Sequence, residues 1–216
     1  MSRSKYRFVF FDVDSTLVTI EGIDVLAAGH PEVAELTEAA MNGEIPLEDV
    51  YGRRLEIVRP NLPSVETLGR NYVASLVDGA AETIAALRDG GADIHIVSAG
   101  IAQSVATLAD HLGIPARAVH AVSLRFDEQG EYLDYDRRSL LTRGGGKELV
   151  VRAILSRSKG KSAFIGDGVS DLETKQAVDL FIGFGGVEPR QRVKAEAAVF
   201  VKEPTLRAVL PYLLEP

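Results

Sequence analysis

The sequence predicts an α/β protein: a parallel sheet with helices on both faces, interrupted near its start by an inserted helical bundle. Three observations predict it. Short apolar runs suited to buried strands alternate with segments of helical periodicity over the last two thirds of the chain. Several of those runs end abruptly in Asp, Ser or Gly. Between them, residues 17–78 carry helical spacing and no strand signal.

Tyr6-Arg-Phe-Val-Phe-Phe11 is short, aromatic and β-branched and reads as a buried strand. From Glu21 to about Asn42 the apolar positions Ile23, Leu26, Ala27, Val33, Leu36 and Ala40 fall at helical spacing, and Pro31 is placed to open a second helix. Pro46 opens another through Leu47, Val50, Leu55 and Val58, and Pro60 and Pro63 end it before a helix starting near Ser64. The pattern changes at Asp78-Gly79. Ala80 to Arg88 is helical and Gly90-Gly91 stops it. Ala92 to Val97 is a strand, and Ser98-Ala-Gly100 is expected to turn into a helix running to about His111. Ala121 to Tyr135 alternates around Asp127-Glu-Gln-Gly130, which suggests a β-hairpin. Gly144-Gly-Gly146 precedes a helix from Lys147 to Leu155. Ser162–Ile165, Leu180–Ile182 and Ala198–Val201 are further strands. These readings divide the chain into a core, residues 1–16 and 79–216, and a helical cap, residues 17–78.

Composition sets the outer limits. Hydrophobic residues make up 46% and charged residues 25% of the 216, enough for a core without a staple. The absence of cysteine excludes disulfides, a thiolate metal site and a cysteine nucleophile. A formal net charge of −7 opposes nucleic acid and acidic membranes, so an anionic substrate needs local positive charge. No apolar stretch approaches ~18 residues, and Met1 to Arg7 leads directly into a strand instead of a signal-peptide core. The expectation is a cytoplasmic protein with no nucleic-acid or membrane partner.

In a parallel sheet the chemistry lies beyond the carboxyl ends of the strands. There the first strand presents Asp12 and Asp14: one carboxylate can attack phosphorus, and a second can pass a proton to the leaving group. An Asp-rich turn capping a helix would look the same taken alone. Ser98 and Gly100 suit a phosphate, or a plain helix cap. Gly166-Asp167-Gly168, with Asp171 one turn on, offers hard oxygen ligands for Mg²⁺. Lys147 stands at a helix start, unfavourable for the helix dipole unless an anion faces it. Gly144 to Glu148 fails as a P-loop because Glu148 stands where a hydroxyl residue is required.

Together these segments resemble the phosphatases of the haloacid dehalogenase superfamily. Phe11-Asp-Val-Asp-Ser-Thr16, Val97-Ser-Ala-Gly100, Lys147 and Gly166-Asp-Gly-Val-Ser-Asp171 are similar to its four motifs. Glu21-Gly-Ile-Asp-Val-Leu-Ala27, Gly183-Phe-Gly-Gly186 and Arg190-Gln-Arg-Val-Lys194 resemble its phosphoserine phosphatase family in particular. The resemblance implies a Rossmann-like core and hydrolysis of a small phosphorylated metabolite through an aspartyl-phosphate, with O-phospho-L-serine as the expected substrate. It implies Asp12 as nucleophile and Asp14 as general acid/base. Asp12, the Asp14 carbonyl and Asp167 would hold Mg²⁺; Ser98, Gly100 and Lys147 would bind phosphoryl oxygens; Asp171 would orient Lys147 or a metal-bound water. In the cap, Glu21 would meet the substrate ammonium and Arg54 its carboxylate, with the adjacent Arg53 as the alternative. The sequence departs from the family at Ala99, where a glycine is usual, and at Leu47, where a phenylalanine contacting the substrate is expected. Transfer of the phosphoryl group to an alcohol shares the same intermediate and stays open. A catalytically dead binding module would be expected to lack Asp12, Asp14, Lys147 or Asp167, and all are present.

Overall fold

A computed structural model describes residues 2–216. Its centre is a six-stranded sheet built from β1 (Phe8–Phe11), β2 (Asp93–Ile101), β3 (Val119–Val122), β6 (Ser162–Gly166), β7 (Leu180–Phe184) and β8 (Val199–Val201). The spatial order is β3-β2-β1-β6-β7-β8, and every pairing is parallel. β4 (Leu124–Phe126) and β5 (Tyr132–Tyr135) form a separate antiparallel hairpin. All residues of β1 and β6 are buried, so helices cover both faces of the sheet, and these strands are accordingly continuous apolar runs without alternation. From β1 the chain builds outward to β2 and β3 on one side, then returns to β6, β7 and β8 on the other. The order therefore reverses beside β1, and the carboxyl ends of β1, β2 and β6 border one crevice.

Between β1 and β2 come α1 (Gly22–Leu26), α2 (Pro31–Met41), α3 (Leu47–Val58) and α4 (Leu62–Ala74). Proline sits in the first turn of α2 and α4, where its missing N–H costs nothing. Asn61 caps α4, its side chain accepting from the Ser64 N–H at 3.0 Å. The insert leaves and rejoins the core through a narrow neck: Val18 pairs antiparallel with Leu76, and the Thr19 N–H donates to Ser75 O at 2.8 Å. The remaining helices are α5 (Ala80–Asp89), α6 (Ala102–His111), α7 (Gly146–Leu155), α8 (Val169–Leu172), α9 (Gln191–Glu196) and α10 (Leu210–Leu213). No described helix is long and apolar enough to cross a membrane.

Two local expectations are corrected. Ser98-Ala-Gly100 does not begin a helix: β2 runs on to Ile101, and α6 starts at Ala102. A Ser-x-Gly sequence suits a cap, but Ile101 still pairs with Val122 of β3, after an irregularity that starts at Val97, and sheet pairing overrides the local preference. The stretch read as one hairpin also contains β3, a short strand of the main sheet whose four residues include His120 and only one fully buried position.

Candidate active site

The polar residues at the ends of β1, β2 and β6 meet at the crevice, under the helical insert. Asp12 follows β1 directly and is 3% exposed, with its N–H donating to Ile165 O at 3.0 Å. The chain then turns sharply. Ser15 holds φ 52, and the N–H groups of Thr16, Leu17 and Val18 all point at Val13 O. This turn brings the Asp14 side chain back over the strand end to line the same cleft as Asp12.

Lys147, at the start of α7, is buried, and its Nζ lies 2.9 Å from Asp12 Oδ2 and 2.6 Å from Asp171 Oδ1. Burial alone would lower its pKa, but the two carboxylates raise it above the ordinary lysine value, so it stays charged. Asp171 uses its other oxygen to accept the Gly168 N–H at 2.9 Å. Both of its oxygens are therefore committed, and it holds Lys147 in place. Gly166 must be glycine here, since a Cβ would overlap the Asp171 carboxyl.

Asp167, 1% exposed, accepts from the Thr16 hydroxyl at 2.9 Å and from Arg190 Nε at 3.2 Å. Arg190 is itself buried, with NH2 3.8 Å from Glu21 Oε1. Glu21 also accepts from the Ser15 hydroxyl at 2.6 Å. Asp14 Oδ1 accepts from the Gly22 N–H at 2.9 Å and the Tyr72 hydroxyl at 2.8 Å. Ser98 is buried, and its Oγ accepts from the Gly100 N–H at 3.0 Å.

Carboxyls crowd this space. Burial, then repulsion from Asp12, raises Asp14 to about 7. Burial, then Asp14, raises Glu21 to about 8, and burial, then Glu21 and Asp12, raises Asp167 to about 7. One oxygen of Asp12, Oδ1, is buried without any hydrogen-bond partner. Asp12, Asp167 and Asp171 each offer an oxygen within 4.8 Å of the others. An orphaned carboxylate oxygen among mutually repelling acids is the environment a divalent cation resolves, and a set of hard oxygen donors suits Mg²⁺. The residues present fit that ion.

In the insert, Arg54 is buried and lines the cleft, whereas its neighbour Arg53 is exposed. Arg54 NH1 donates to the Thr37 hydroxyl at 3.1 Å, its guanidinium lies 5.8 Å from the Tyr51 ring, and its Nε is buried without a partner. Leu47, Leu55 and Leu68 add an apolar wall. Tyr51 reaches across to the core, its hydroxyl donating to Ala99 O at 2.9 Å. Of the residues singled out from the sequence, Asp12, Asp14, Lys147, Glu21, Arg54, Ser98 and Gly100 line one cleft, Asp167 and Asp171 lie against it, and Arg53 stays outside.

Thr16 and Arg190 stand in segments that carry the family resemblance without a role attached to either, and no motif marks Tyr51 and Tyr72 as site groups. One weak signal points to the tyrosines. Tyr72 and Tyr51 are polar-tipped aromatics on apolar helix faces, and a buried tyrosine hydroxyl needs a partner.

The family model for haloacid dehalogenase-like hydrolases matches residues 6–179. A chloroplastic phosphoserine phosphatase of Arabidopsis thaliana is 38% identical over 88% of this chain and 66% of its own length. The phosphoserine phosphatase of Mus musculus is 35% identical over 90% of this chain and 88% of its own. Among solved structures, a substrate-bound phosphoserine phosphatase complex superposes with a TM-score of 0.84 at 26% identity, covering 96% of this chain and 98% of that one. A phospho-aspartyl intermediate analogue of phosphoserine phosphatase gives 0.83 at 27% identity, covering 96% and 99%. With motif order, fold and cleft all in agreement, this chain belongs to the haloacid dehalogenase-like hydrolases and, within them, to the phosphoserine phosphatase family.

Proposed function

We propose that the protein is a Mg²⁺-dependent phosphatase that converts O-phospho-L-serine to L-serine and phosphate through an aspartyl-phosphate on Asp12. The observation that carries this reading is the pairing of a buried Asp12–Lys147–Asp171 chain with Asp14 in one cleft roofed by Glu21 and Arg54. The named relatives are phosphoserine phosphatases, and the opposite charges of Glu21 and Arg54 match the ammonium and carboxylate of an amino acid.

Asp12, the Asp14 carbonyl and Asp167 are the groups that would hold Mg²⁺, which when bound neutralises the repulsion between Asp12 and phosphate and polarises the phosphoryl group. Asp12 bonds to phosphorus as the bond from phosphorus to the seryl oxygen breaks, and that oxygen takes a proton from Asp14. A water oxygen then bonds to phosphorus as the Asp12–phosphorus bond breaks, and Asp14 receives the water proton. Lys147, held by Asp171, meets the charge on the phosphoryl oxygens, with the Ser98 hydroxyl and Gly100 N–H completing the cradle. Residues 17–78 act as the cap and residues 1–16 and 79–216 as the core. The cap reads the part of the substrate beyond phosphate and excludes bulk water. Leu47 leaves the apolar wall aliphatic where an aromatic side chain would be larger.

Purified protein with Mg²⁺ is expected to release phosphate from O-phospho-L-serine, to lose that activity with EDTA, and to lose it when Asp12 becomes Asn. An assay with an added alcohol acceptor distinguishes transfer. Absence of turnover on phosphoserine and phosphothreonine, with activity on other small phosphates, would overturn the amino-acid substrate.

A further inference from the structure

We propose that Tyr72 is a positioning residue for proton transfer: its hydroxyl, with the Gly22 N–H, occupies Asp14 Oδ1, so that the transferable proton is carried on Oδ2. This deepens the phosphatase reading above and rests on it.

Tyr72 lies near the end of α4 and is completely buried. Among the described residues its hydroxyl makes one hydrogen bond, donating to Asp14 Oδ1 at 2.8 Å. The Gly22 N–H donates to that same oxygen at 2.9 Å. A carboxyl oxygen has two lone-pair sites, so two donors fill it, and a proton placed there would have to displace one of them. Oδ2 faces the other way, 3.4 Å from the position a Cβ on Gly100 would take, on the side of the Ser98–Gly100 phosphate cradle. The arrangement therefore separates the two oxygens of Asp14 into one that is anchored and one that is free to give and take a proton.

The approach is built into a second position. A Cβ on Gly22 would overlap the Tyr72 hydroxyl, so the bond exists only because residue 22 is glycine. Finally, α4 is the helix of the insert seated on the core. The Ser104 hydroxyl of α6 donates to Val65 O at 2.7 Å, and Gly69 lets α4 approach Thr107 closely. Tyr72 thus ties Asp14 to a part of the insert that is packed on the core, which keeps the proton-transfer oxygen aimed.

The test compares leaving groups. O-phospho-L-serine leaves as an alkoxide that needs a proton, whereas p-nitrophenyl phosphate leaves as a stabilised phenolate that does not. Tyr72→Phe keeps the ring and removes only the donor. It is expected to lower kcat/KM for phosphoserine by about tenfold or more, the size of a lost hydrogen bond to a charged group. For p-nitrophenyl phosphate kcat/KM should stay within about twofold, since that ratio reports steps up to phosphorylation. In an Asp14→Asn background, Tyr72→Phe should cause no further loss on phosphoserine. Equal losses on both substrates would mean a merely structural role and would overturn the proposal. So would an unchanged rate on phosphoserine, or a further loss in the Asp14→Asn background. If the unsubstituted protein hydrolyses the aryl phosphate but no alkyl phosphate, the function itself falls and takes this proposal with it. That result is read before any substitution is made.

Discussion

Arg190 is a cation enclosed by acids. Its Nε bonds Asp167 and its NH2 approaches Glu21, while NH1 lies 3.5 Å from Asn42 Oδ1 of the insert. Removing one partner of a buried ion pair leaves the other charge uncompensated, at a cost of roughly 3–5 kcal/mol. Arg190→Ala is therefore expected to lower the melting temperature in EDTA, and Mg²⁺ should then restore more stability than it adds to the unsubstituted protein, because the ion takes over the neutralisation of Asp167. A variant that melts like the parent in EDTA would show that Arg190 is dispensable to the site. Arg54 differs in kind, since its Nε is buried and unpartnered in the cleft. Arg54→Ala is expected to raise KM for phosphoserine by an amount equivalent to about 2 kcal/mol, and to change KM for phosphoethanolamine, which lacks the carboxylate, far less. Equal changes for both substrates would make Arg54 structural. Arg53, exposed on the same helix, does not reach the cleft.

Among the elements, α4 and the β4–β5 hairpin hold the insert over the core from two sides. The hairpin accepts from the insert through its backbone, with Arg59 NH2 donating to Tyr132 O at 3.0 Å and the Leu62 N–H to Gly130 O at 2.8 Å. Tyr51 and Tyr135 pack with ring centroids 5.2 Å apart. On the other side, α4 meets α6 at Gly69, where a Cβ would lie 2.7 Å from Thr107 Oγ1 and 2.8 Å from Thr107 Cβ. Gly69→Val should force the two helices apart and destabilise the fold by about 1–3 kcal/mol, the usual cost of overpacking. The measurement is a denaturant midpoint. No shift would mean that the seam yields freely and does not anchor the insert. The helices of this region were legible in the sequence, because Pro31, Pro46, Pro60 and Pro63 punctuate a clear periodicity. The extension of β2 through Ser98–Ile101 was not, because only the pairing with β3 favours it.

For the whole molecule, the charge distribution predicts a metal-dependent response to pH. Asp14, Glu21 and Asp167 have folded pKa values raised to about 7, 8 and 7, above the usual carboxylate range near 4. A raised carboxyl binds its proton more tightly in the folded state. Its contribution to stability is full below pH ~4 and is lost as pH rises through ~7–8. His95 works in the opposite sense. Burial, then the neighbouring His120, depresses it to about 4, so its contribution is present above pH ~6.5 and lost as pH falls toward 4. The carboxyl effect should vanish when Mg²⁺ occupies the cluster, and the His95 effect should not. The difference in melting temperature between Mg²⁺ and EDTA is thus expected to grow from pH 5 to pH 8. A difference independent of pH would contradict the acidic cluster as the metal site.

Legible in the sequence were the layered α/β fold, the helical stretch between the first two strands and the polar groups near the strand ends. Those features are local: a buried strand is a short apolar run, and Asp12, Asp14, Lys147, Asp167 and Asp171 each follow a strand or stand in the first turn of a helix, whereas Ser98 lies inside β2. Which of Arg53 and Arg54 faces the cleft, how far β2 runs, and the presence of Arg190, Tyr51 and Tyr72 at the site follow from long-range packing. Each of those depends on a partner distant in sequence: Arg190 on Asp167 and Glu21, Tyr51 on Ala99, Tyr72 on Asp14. A side chain that its own segment leaves without a role acquires one from what the fold sets against it.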